Sequence, residues 1–299
     1  MKVNRVRQNV LPLLTAMIWG TAFVAQSIGA DYMGPFVFNA ARAVIAFVFL
    51  LCLLSFRLAF QKRRHVVHPI GQRRDLLLGG LCCGAALTVA SFFQQKGLET
   101  TSSGKAGFIT ALYIVLVPVL GLLLGRKPPR MVWVSIVLAV AGLYCLCITD
   151  GFSITTGDFY VLLCAFCFSV QIMAVDHFGQ KVDGVALSCC QFFVMSVLSA
   201  LGSFADRLPD PALASEWLGP VLYVGVFSSG VAYTLQILAQ KDSDPAVVSL
   251  LMSMESVFAT LAGVLILHDR LSSRELFGCA LMLAAVVLAQ LPDKKTRFA

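Results

Sequence analysis

The stretch from Asp244 to Arg270, which decides the fold class of this chain, reads DPAVVSLLMSMESVFATLAGVLILHDR. Between its charged ends the stretch is mostly apolar, and one carboxylate, Glu255, lies near its middle. A helix of roughly 20 apolar residues crosses the ~30 Å hydrocarbon core of a bilayer. A charge at that depth costs about 2.5–3.5 kcal/mol on insertion scales, so Glu255 is expected to face the protein interior and to serve a function.

The composition of the whole chain indicates an integral membrane protein. Hydrophobic residues make up 58% of the 299 residues and charged residues 13%, whereas a soluble domain has about 25% charged residues. The formal net charge of +7 is compatible with nucleic-acid binding. The positions of the basic residues indicate a membrane surface instead, and no nucleic-acid partner is predicted.

Apolar runs separated by Gly, Pro and charged residues predict an all-α fold with ten transmembrane helices. The predicted spans are Val10–Ser27, Phe36–Phe56, Leu76–Gln94, Ala106–Gly125, Val132–Cys147, Gly157–Val175, Val185–Phe204, Leu218–Leu238, Ala246–Leu267 and Leu276–Leu291. Turn signals such as Asp150-Gly151 and Asp244-Pro245 separate them, and the one long connection runs from Arg57 to Asp75.

The Lys and Arg residues of the loops predict the orientation, because cytoplasmic loops of membrane proteins are enriched in them. With the N-terminus placed in the cytoplasm, most basic loop residues fall on the cytoplasmic side. The other side holds Lys96, Lys105, Arg207, Arg270 and Arg274. The sequence therefore predicts a multi-pass protein of the cell membrane, embedded in the lipid bilayer, with both termini cytoplasmic.

A weak internal repeat divides the chain into two halves of five spans each, residues 1–149 and 150–299. A shift of 143 residues lays Ser103–Leu143 over Ala246–Val286 without a gap, and a shift of 149 lays Arg42 on Gln191. Because each half has an odd number of spans, the halves are predicted to be inverted relative to each other. Inverted repeats are typical of secondary transporters, whose substrate site lies near the midplane of the membrane.

Several short motifs occur in register with these two halves. They are Trp19-Gly-Thr-Ala-Phe23, Asn39-Ala-Ala-Arg42, the segment Gly97–Ala111, Val117-Pro118 with Gly125-Arg126, and Met254–Ala259 with His268-Asp269-Arg270. Together they resemble the EamA-type transporters of the drug/metabolite transporter superfamily, and the resemblance covers essentially the whole chain. It implies a secondary transporter and favours export as the direction of transport.

Two charged residues inside predicted spans are candidates for substrate binding or coupling. Glu255 could exchange protons, pair with an amine substrate, or serve as a polar clamp between helices, which is worth about 0.6–2 kcal/mol in membranes. Arg42, which lies inside the second span, could attract an anionic substrate group, balance the charge of Glu255, or extend its long stem to the headgroups. The sequence leaves these alternatives open.

Other polar and aromatic residues of the spans are expected to face inward, because amides and hydroxyls in lipid must find partners. A mixed polar–aromatic substrate pocket is predicted from Trp19, Gln94, Tyr113, Gln171, Tyr233 and Gln236. For any one of them, ordinary core packing or interface anchoring is an equally good explanation. Close helix packing is predicted at Gly80-x-x-x-Gly84, Gly121-x-x-x-Gly125 and Ala259-x-x-x-Gly263.

No motif predicts a catalytic group, a cofactor or a metal site. Most of the ten cysteines lie inside apolar runs, where cysteine packs as a small hydrophobic residue. The pair Cys164-x-x-Cys167 has redox spacing but lies within a predicted span. No phosphate-binding loop of the Walker type is visible, which argues against direct ATP drive.

The predicted function is that of a secondary transporter, not an enzyme, which moves a small metabolite or amphiphilic compound by alternating access. Protons are the candidate coupling ion. One alternative is a membrane-embedded enzyme acting on a lipid-linked substrate, which would need clustered Asp, His or Ser residues near one face. The other is a non-transporting interaction protein, which would need neither a buried carboxylate nor inverted halves.

Overall fold

The computed structural model describes residues 9–63, 70–101, 103–148, 155–241, 243–262 and 272–290. This part of the chain is helical throughout and contains no strand, which confirms the predicted all-α class. Its α-helices are α1 (Leu11–Tyr32), α2 (Pro35–Arg63), α3 (Arg73–Leu98), α4 (Ser103–Ala111), α5 (Tyr113–Leu123), α6 (Arg130–Cys147), α7 (Thr156–Gly179), α8 (Gly184–Gly202), α9 (Ala214–Tyr223), α10 (Tyr233–Gln240), α11 (Pro245–Met252), α12 (Glu255–Ala262) and α13 (Ser273–Ala289).

Within the described residues, seven helical segments are long and apolar enough to cross a membrane. They are Leu11–Tyr32, Pro35–Gln61, Arg73–Leu98, Lys105–Leu123, Thr156–Gly179, Gly184–Ala205 and Pro211–Gln240. Two shorter apolar segments, Arg130–Leu146 and Pro245–Leu261, accompany them. Many large apolar side chains are exposed on the outside of the bundle, as expected of a surface that faces lipid.

Each of the ten predicted spans coincides with a helix or with consecutive helical segments. The end of the ninth span beyond residue 262, the motif His268-Asp269-Arg270 and the last residue of the tenth span lie outside the described residues. Three spans differ from the prediction, since the fourth, eighth and ninth are not single regular α-helices.

The fourth span is broken at Leu112, between α4 and α5. Two hydrogen bonds at the break reach back only three residues, from the Leu112 N–H to the Ile109 carbonyl (3.2 Å) and from the Val115 N–H to the Leu112 carbonyl (3.0 Å). Such bonds tighten a helix locally. Pro118 inside α5 lacks an N–H and weakens the helix further. The break places Tyr113 at the start of α5.

The ninth span is broken at Ser253 and Met254, between α11 and α12. The Ser253 hydroxyl donates to the Leu250 carbonyl at 2.7 Å, so this side chain competes with the backbone for an acceptor of its own helix. The Met254 N–H likewise reaches back only three residues, to the Leu251 carbonyl. The break makes Glu255 the first residue of α12.

The eighth span widens into a π-helical segment over Val224–Ala232, between α9 and α10. Glycine and serine, which have low helix propensity, are frequent in this segment. Two of its carbonyls accept hydrogen bonds from α1: Trp19 Nε1 donates to Ser228 at 3.2 Å, and the Thr15 hydroxyl donates to Ala232 at 3.3 Å. Single π-helical turns are frequent at functional sites.

Glycines allow several helices to approach closely. A β-carbon at Gly84 of α3 would lie 2.7 Å from the Gln191 carbonyl of α8, and one at Gly142 of α6 would lie 2.9 Å from the Gly278 carbonyl of α13. The close packing predicted for Gly80-x-x-x-Gly84 is therefore present.

The packing prediction is wrong for Gly121-x-x-x-Gly125. No atom lies within 4 Å of a β-carbon built on Gly125, whose φ is +79°. The following Arg126 N–H donates to the Gly121 carbonyl at 2.9 Å, so this glycine is the left-handed residue that ends α5. Gly263, the last residue of the third motif, lies outside the described residues.

Ion pairs join the N-terminal half of the described chain, residues 9–148, to the C-terminal half, residues 155–290, at both ends of the bundle. These pairs are Arg57–Asp183 (2.7 Å) and Arg126–Asp176 at one end, which we call the basic end, and Lys105–Asp158 (2.6 Å) at the opposite end. Asp158 and Asp176 both lie on α7, separated by about 27 Å of helix rise. That distance is close to the thickness of a hydrocarbon core.

Asp183 is also the N-cap of α8, because its carboxylate accepts the backbone N–H groups of Val185 and Ala186 at 3.1 and 3.0 Å. Burial acts to raise the pKa of this carboxyl, but the hydrogen bond from Arg57, its positive charge and the two N–H groups outweigh burial, so the pKa of Asp183 is lowered. The stability that these contacts contribute is therefore fully present above about pH 4, the usual aspartate pKa, and is lost as the pH falls through the lowered value.

We expect Gly84→Ala to lower the free energy of unfolding by about 1–3 kcal/mol, because the added methyl group would meet a backbone carbonyl. Gly219→Ala is the matched control, since nothing lies within 4 Å of a β-carbon there. Thermal unfolding of both variants in detergent measures the difference. If the two variants melt at the same temperature, α3 and α8 do not depend on this glycine for their approach.

We expect Asp183→Asn to lose up to about 1 kcal/mol of stability at pH 7, because asparagine retains the helix cap and loses the ion pair. The variant should also lose less stability than the native protein between pH 7 and pH 3. Melting temperatures over a pH series measure both effects. Glu99→Gln, which removes the local ion pair with Lys96, is the control. A variant with the native pH dependence would contradict the role of Asp183.

Candidate functional site

The helix breaks and the π-helical segment border one cavity between the helices. Its lining residues are Trp19, Phe23, Gln26, Arg42, Gln94, Thr110, Tyr113, Phe168, Gln171, Ile172, Ser228, Tyr233, Gln236 and Glu255. All eight residues that the sequence analysis selected for substrate binding or coupling are in this set. The structure thus brings them together from seven different spans, while their individual roles stay predictions.

Glu255 and Tyr113 meet at the two broken helices. Each is the first residue after its break, and the Tyr113 hydroxyl donates to Glu255 Oε1 at 3.2 Å. Both side chains are buried, with 3% of each residue exposed. Gly20 of α1 packs against this point, since a β-carbon there would lie 2.5 Å from the Glu255 carbonyl. A buried carboxylate with one neutral partner is therefore held at the cavity wall.

Arg42 lies on another part of the wall and is only 2% exposed. Its Nη1 donates to Gln26 Oε1 at 3.3 Å, and its Nη2 donates to the Ser91 hydroxyl at 2.6 Å. This burial excludes the reading in which Arg42 extends to the headgroups. Among the described residues, Arg42 forms no ion pair with Glu255 or with any other acid, and a balance between its charge and that of Glu255 across the cavity stays a prediction.

Amide side chains line the rest of the polar wall. Gln236 Nε2 donates to Gln171 Oε1 at 3.2 Å. Gln171 Nε2 lies 3.5 Å from Gln191 Oε1, behind the cavity, and Gln94 Nε2 lies 3.5 Å from the Thr110 hydroxyl. Each 3.5 Å contact is at the long limit for a hydrogen bond. These amides can both donate to and accept from a solute.

Aromatic side chains form another part of the cavity wall. The rings of Trp19 and Tyr233 lie 4.8 Å apart between centroids, and Phe192 packs edge-on against Tyr233 at 5.6 Å. Phe23 and Phe168 extend the apolar part of the wall. The cavity therefore offers apolar contact, neutral hydrogen-bonding groups, one carboxylate and one guanidinium to the same small molecule.

The sequence analysis did not place six of the lining residues in the pocket. They are Phe23, Gln26, Thr110, Phe168, Ile172 and Ser228. The internal repeat contains a signal for one of them, because the shift of 149 lays Trp19, a predicted pocket residue, on Phe168. Ser228 has no comparable signal, since it reaches the cavity through the π-helical segment.

The cavity wall consists of charged, amide, hydroxyl and apolar side chains. Within the described residues, no three His, Cys, Asp or Glu side chains are grouped so that they could hold a metal ion. Cys164 and Cys167 are free thiols one helical turn apart. The cavity groups can exchange hydrogen bonds, pair with charges and contact apolar surface, which is sufficient for holding a solute between two faces of a membrane.

Comparison with known proteins places the chain in a family. The EamA-like transporter family matches residues 8–148 and again residues 155–291. The chain is 32% identical over 293 residues to an uncharacterized transporter of Archaeoglobus fulgidus, with 97% of this chain and 87% of that protein covered. It is 24% identical over 240 residues to a protein of Streptantibioticus cattleyicolor named as a probable terminal-alkyne amino-acid exporter, with 74% and 72% covered.

A crystal structure of another protein has the same fold. The superposition has a TM-score of 0.77 and covers 97% of this chain and 98% of that one, at 21% sequence identity. The double family match and the archaeal relative agree with the apolar helices and with the central cavity. The chain belongs to the EamA-like transporter family and is a multi-pass membrane transporter.

Proposed function

We propose that this protein moves a small metabolite or amphiphilic solute across the cell membrane by alternating access, and that the solute binds in the central cavity. The observation that carries the proposal is the position of the cavity: it lies where two spans are broken and a third is π-helical. Irregular backbone at membrane depth is tolerated where it lines a cavity or is buried in protein. Transporter sites are typically built from such discontinuous helices.

The internal repeat supports two inverted five-helix halves, residues 1–149 and 150–299. The shift of 143 lays Leu112, the break of the fourth span, on Glu255, directly after the break of the ninth. Both halves thus interrupt the corresponding helix at nearly the same place. Short or interrupted segments at corresponding positions of two repeats indicate the binding site of a transporter.

The ion pairs between the halves support a gate at each end of the cavity. Arg57–Asp183 and Arg126–Asp176 join the halves at the basic end, and Lys105–Asp158 joins them at the other. Rocking of one half against the other would separate the pairs at one end and keep those at the opposite end. The positive-inside rule assigns the basic end, and both chain termini, to the cytoplasm.

Glu255 is the proposed site for a proton or for an amine group of the solute. Its only polar side-chain partner among the described residues is the Tyr113 hydroxyl, and a carboxylate at membrane depth without a cationic partner is typical of ion and substrate pathways. Export is the proposed direction, supported by the family resemblance and by the name of the Streptantibioticus relative.

We expect Glu255→Gln to abolish acceleration of transport by a pH gradient, because an amide keeps the hydrogen bond to Tyr113 but cannot exchange a proton. Proteoliposomes are loaded with the pH-sensitive dye pyranine, and a concentration gradient of one metabolite class at a time is imposed across the membrane. The dye records the proton movement that each metabolite gradient causes. Glu99→Gln, outside the cavity, is the matched control. Proton movement at the native rate in the Glu255 variant would remove this residue from coupling.

We expect Asp176→Arg to open the basic end, because it replaces the attraction to Arg126 by repulsion between the halves. Opening is measured as labelling of a cysteine introduced at Thr110, a cavity residue, by a membrane-impermeant thiol reagent applied to that face. The rate should rise about tenfold, which corresponds to about 1.4 kcal/mol.

The double variant Arg126→Asp with Asp176→Arg restores the attraction and should restore slow labelling. Reversal of Lys96 and Glu99, which pair within one half, is the control and should not change the rate. Equal labelling of the native protein and the Asp176 variant would contradict a gate at this end.

A further inference from the structure

We propose that the Arg42 guanidinium binds an anionic group of the transported solute, a carboxylate or a phosphate, and that Ser91 and Gln26 are positioning residues that aim the guanidinium. This inference rests on the proposed function, since it names a chemical class for the solute of the central cavity. Three observations carry it: the uncompensated charge of Arg42, its unused donors, and the hydrogen bonds that hold it in place.

The charge of Arg42 has no acidic partner in the described part of the chain. Arg42 is among the largest fully buried side chains of the protein, and its hydrogen-bond acceptors, Gln26 and Ser91, are both neutral. Buried charges in proteins are normally paired. The acid that lines the same cavity, Glu255, is hydrogen-bonded to Tyr113 instead. An anionic group brought by the solute would supply the missing partner.

The guanidinium has donors left for that group. Arginine has five N–H donors in a planar fork, and the structure uses one from Nη1 and one from Nη2. Nε is buried and has no hydrogen-bond partner. The unused N–H groups match the two oxygens of a carboxylate or phosphate, which arginine binds through paired hydrogen bonds.

The orientation of Arg42 is set by α3. Ser91 accepts from Nη2, and Gln95, one turn further along α3, donates to the Gln26 backbone carbonyl at 2.9 Å. Gln26 in turn accepts from Nη1. The hydrogen bonds thus connect α1, α2 and α3 around the guanidinium. Ser91 is 1% exposed and is not among the residues that line the cavity, so it acts on the solute through Arg42.

The repeat indicates that the charge is not required by the architecture. The residue of the second half that corresponds to Arg42 is Gln191, which is also fully buried and lies beside another amide, Gln171. A neutral amide therefore suffices at the corresponding position of the fold. The positive charge belongs to the first half alone, as expected of a group that recognises a solute.

The test uses the guanidinium resonances of Arg42 in full-length protein labelled with ¹⁵N-arginine in a neutral detergent. The resonance that disappears in the spectrum of the Arg42→Lys variant is assigned to Arg42. Sodium acetate and inorganic phosphate are the probes, and sodium chloride at equal ionic strength is the control. We expect acetate or phosphate to shift the Arg42 Nε signal saturably, and the more effective probe distinguishes a carboxylate from a phosphate ligand.

Three variants test the positioning role. Ser91→Ala should weaken the anion response about three- to tenfold, the effect of losing one hydrogen bond, and should speed rotation of the guanidinium, which a merely structural role would not change. Ser91→Thr keeps the hydroxyl and should restore both readouts. Thr88→Val is the matched control, because the Thr88 hydroxyl bonds only within α3, to the Gly84 carbonyl.

The outcomes separate this inference from the proposed function. An Arg42 signal that responds to neither acetate nor phosphate overturns the anion site. A response that Ser91→Ala leaves unchanged, with unchanged guanidinium rotation, overturns the positioning role. Anion binding at Arg42 in a protein that moves no solute in proteoliposomes would support this inference and contradict the proposed function.

Discussion

Backbone hydrogen bonding inside a bilayer is the constraint on which the rest of this structure depends. Every N–H and C=O at membrane depth needs a partner in the protein, which is why regular helices dominate membrane spans. In the described parts of the fourth, eighth and ninth spans, the backbone departs from regular α-helix at Leu112, at Val224–Ala232 and at Ser253–Met254, and all three places border the same cavity. Short-range bonds and side chains of α1 satisfy carbonyls there, since Thr15 and Trp19 donate to the π-helical segment. The cavity and the irregular backbone are thus consequences of each other.

Charge is distributed in a way that agrees with this backbone plan. The ion pairs between the two halves lie at the ends of the bundle, while Arg42 and Glu255 lie in its middle without ionic partners among the described residues. Opposite charges at the ends join the two halves. In the middle of the bundle, protein side chains provide the hydrogen bonds of the two groups: Tyr113 bonds to Glu255, and Ser91 and Gln26 bond to Arg42. The ion pairs thus lie between the halves at the ends of the bundle, and the two charged groups in the middle have neutral partners.

Much of this arrangement could be predicted from the sequence, because its signals are local. Apolar length and punctuation such as Asp244-Pro245 predicted the helices, and polar residues inside apolar runs predicted eight of the cavity residues. The breaks were not predictable in the same way: Leu112 has no glycine or proline beside it, and its break consists of hydrogen bonds that a sequence does not display. The Gly121-x-x-x-Gly125 pattern was misleading because spacing alone does not distinguish a packing surface from the cap of α5. Ser91 was missed since its importance lies in a contact with Arg42, which is remote in sequence.

The internal repeat shows that the two charged cavity residues have no charged counterparts in the other half. A duplicated fold needs matching contacts where its halves pack, and repeat-related pairs such as Trp19 with Phe168 keep a similar aromatic character. At Arg42 with Gln191, and at Glu255 with Leu112, only one member of each pair is charged. Because an uncompensated charge at membrane depth is costly, and the other half folds without it, packing does not account for either residue. The duplication supplies a cavity with two similar walls, and these two departures from symmetry make the walls chemically different.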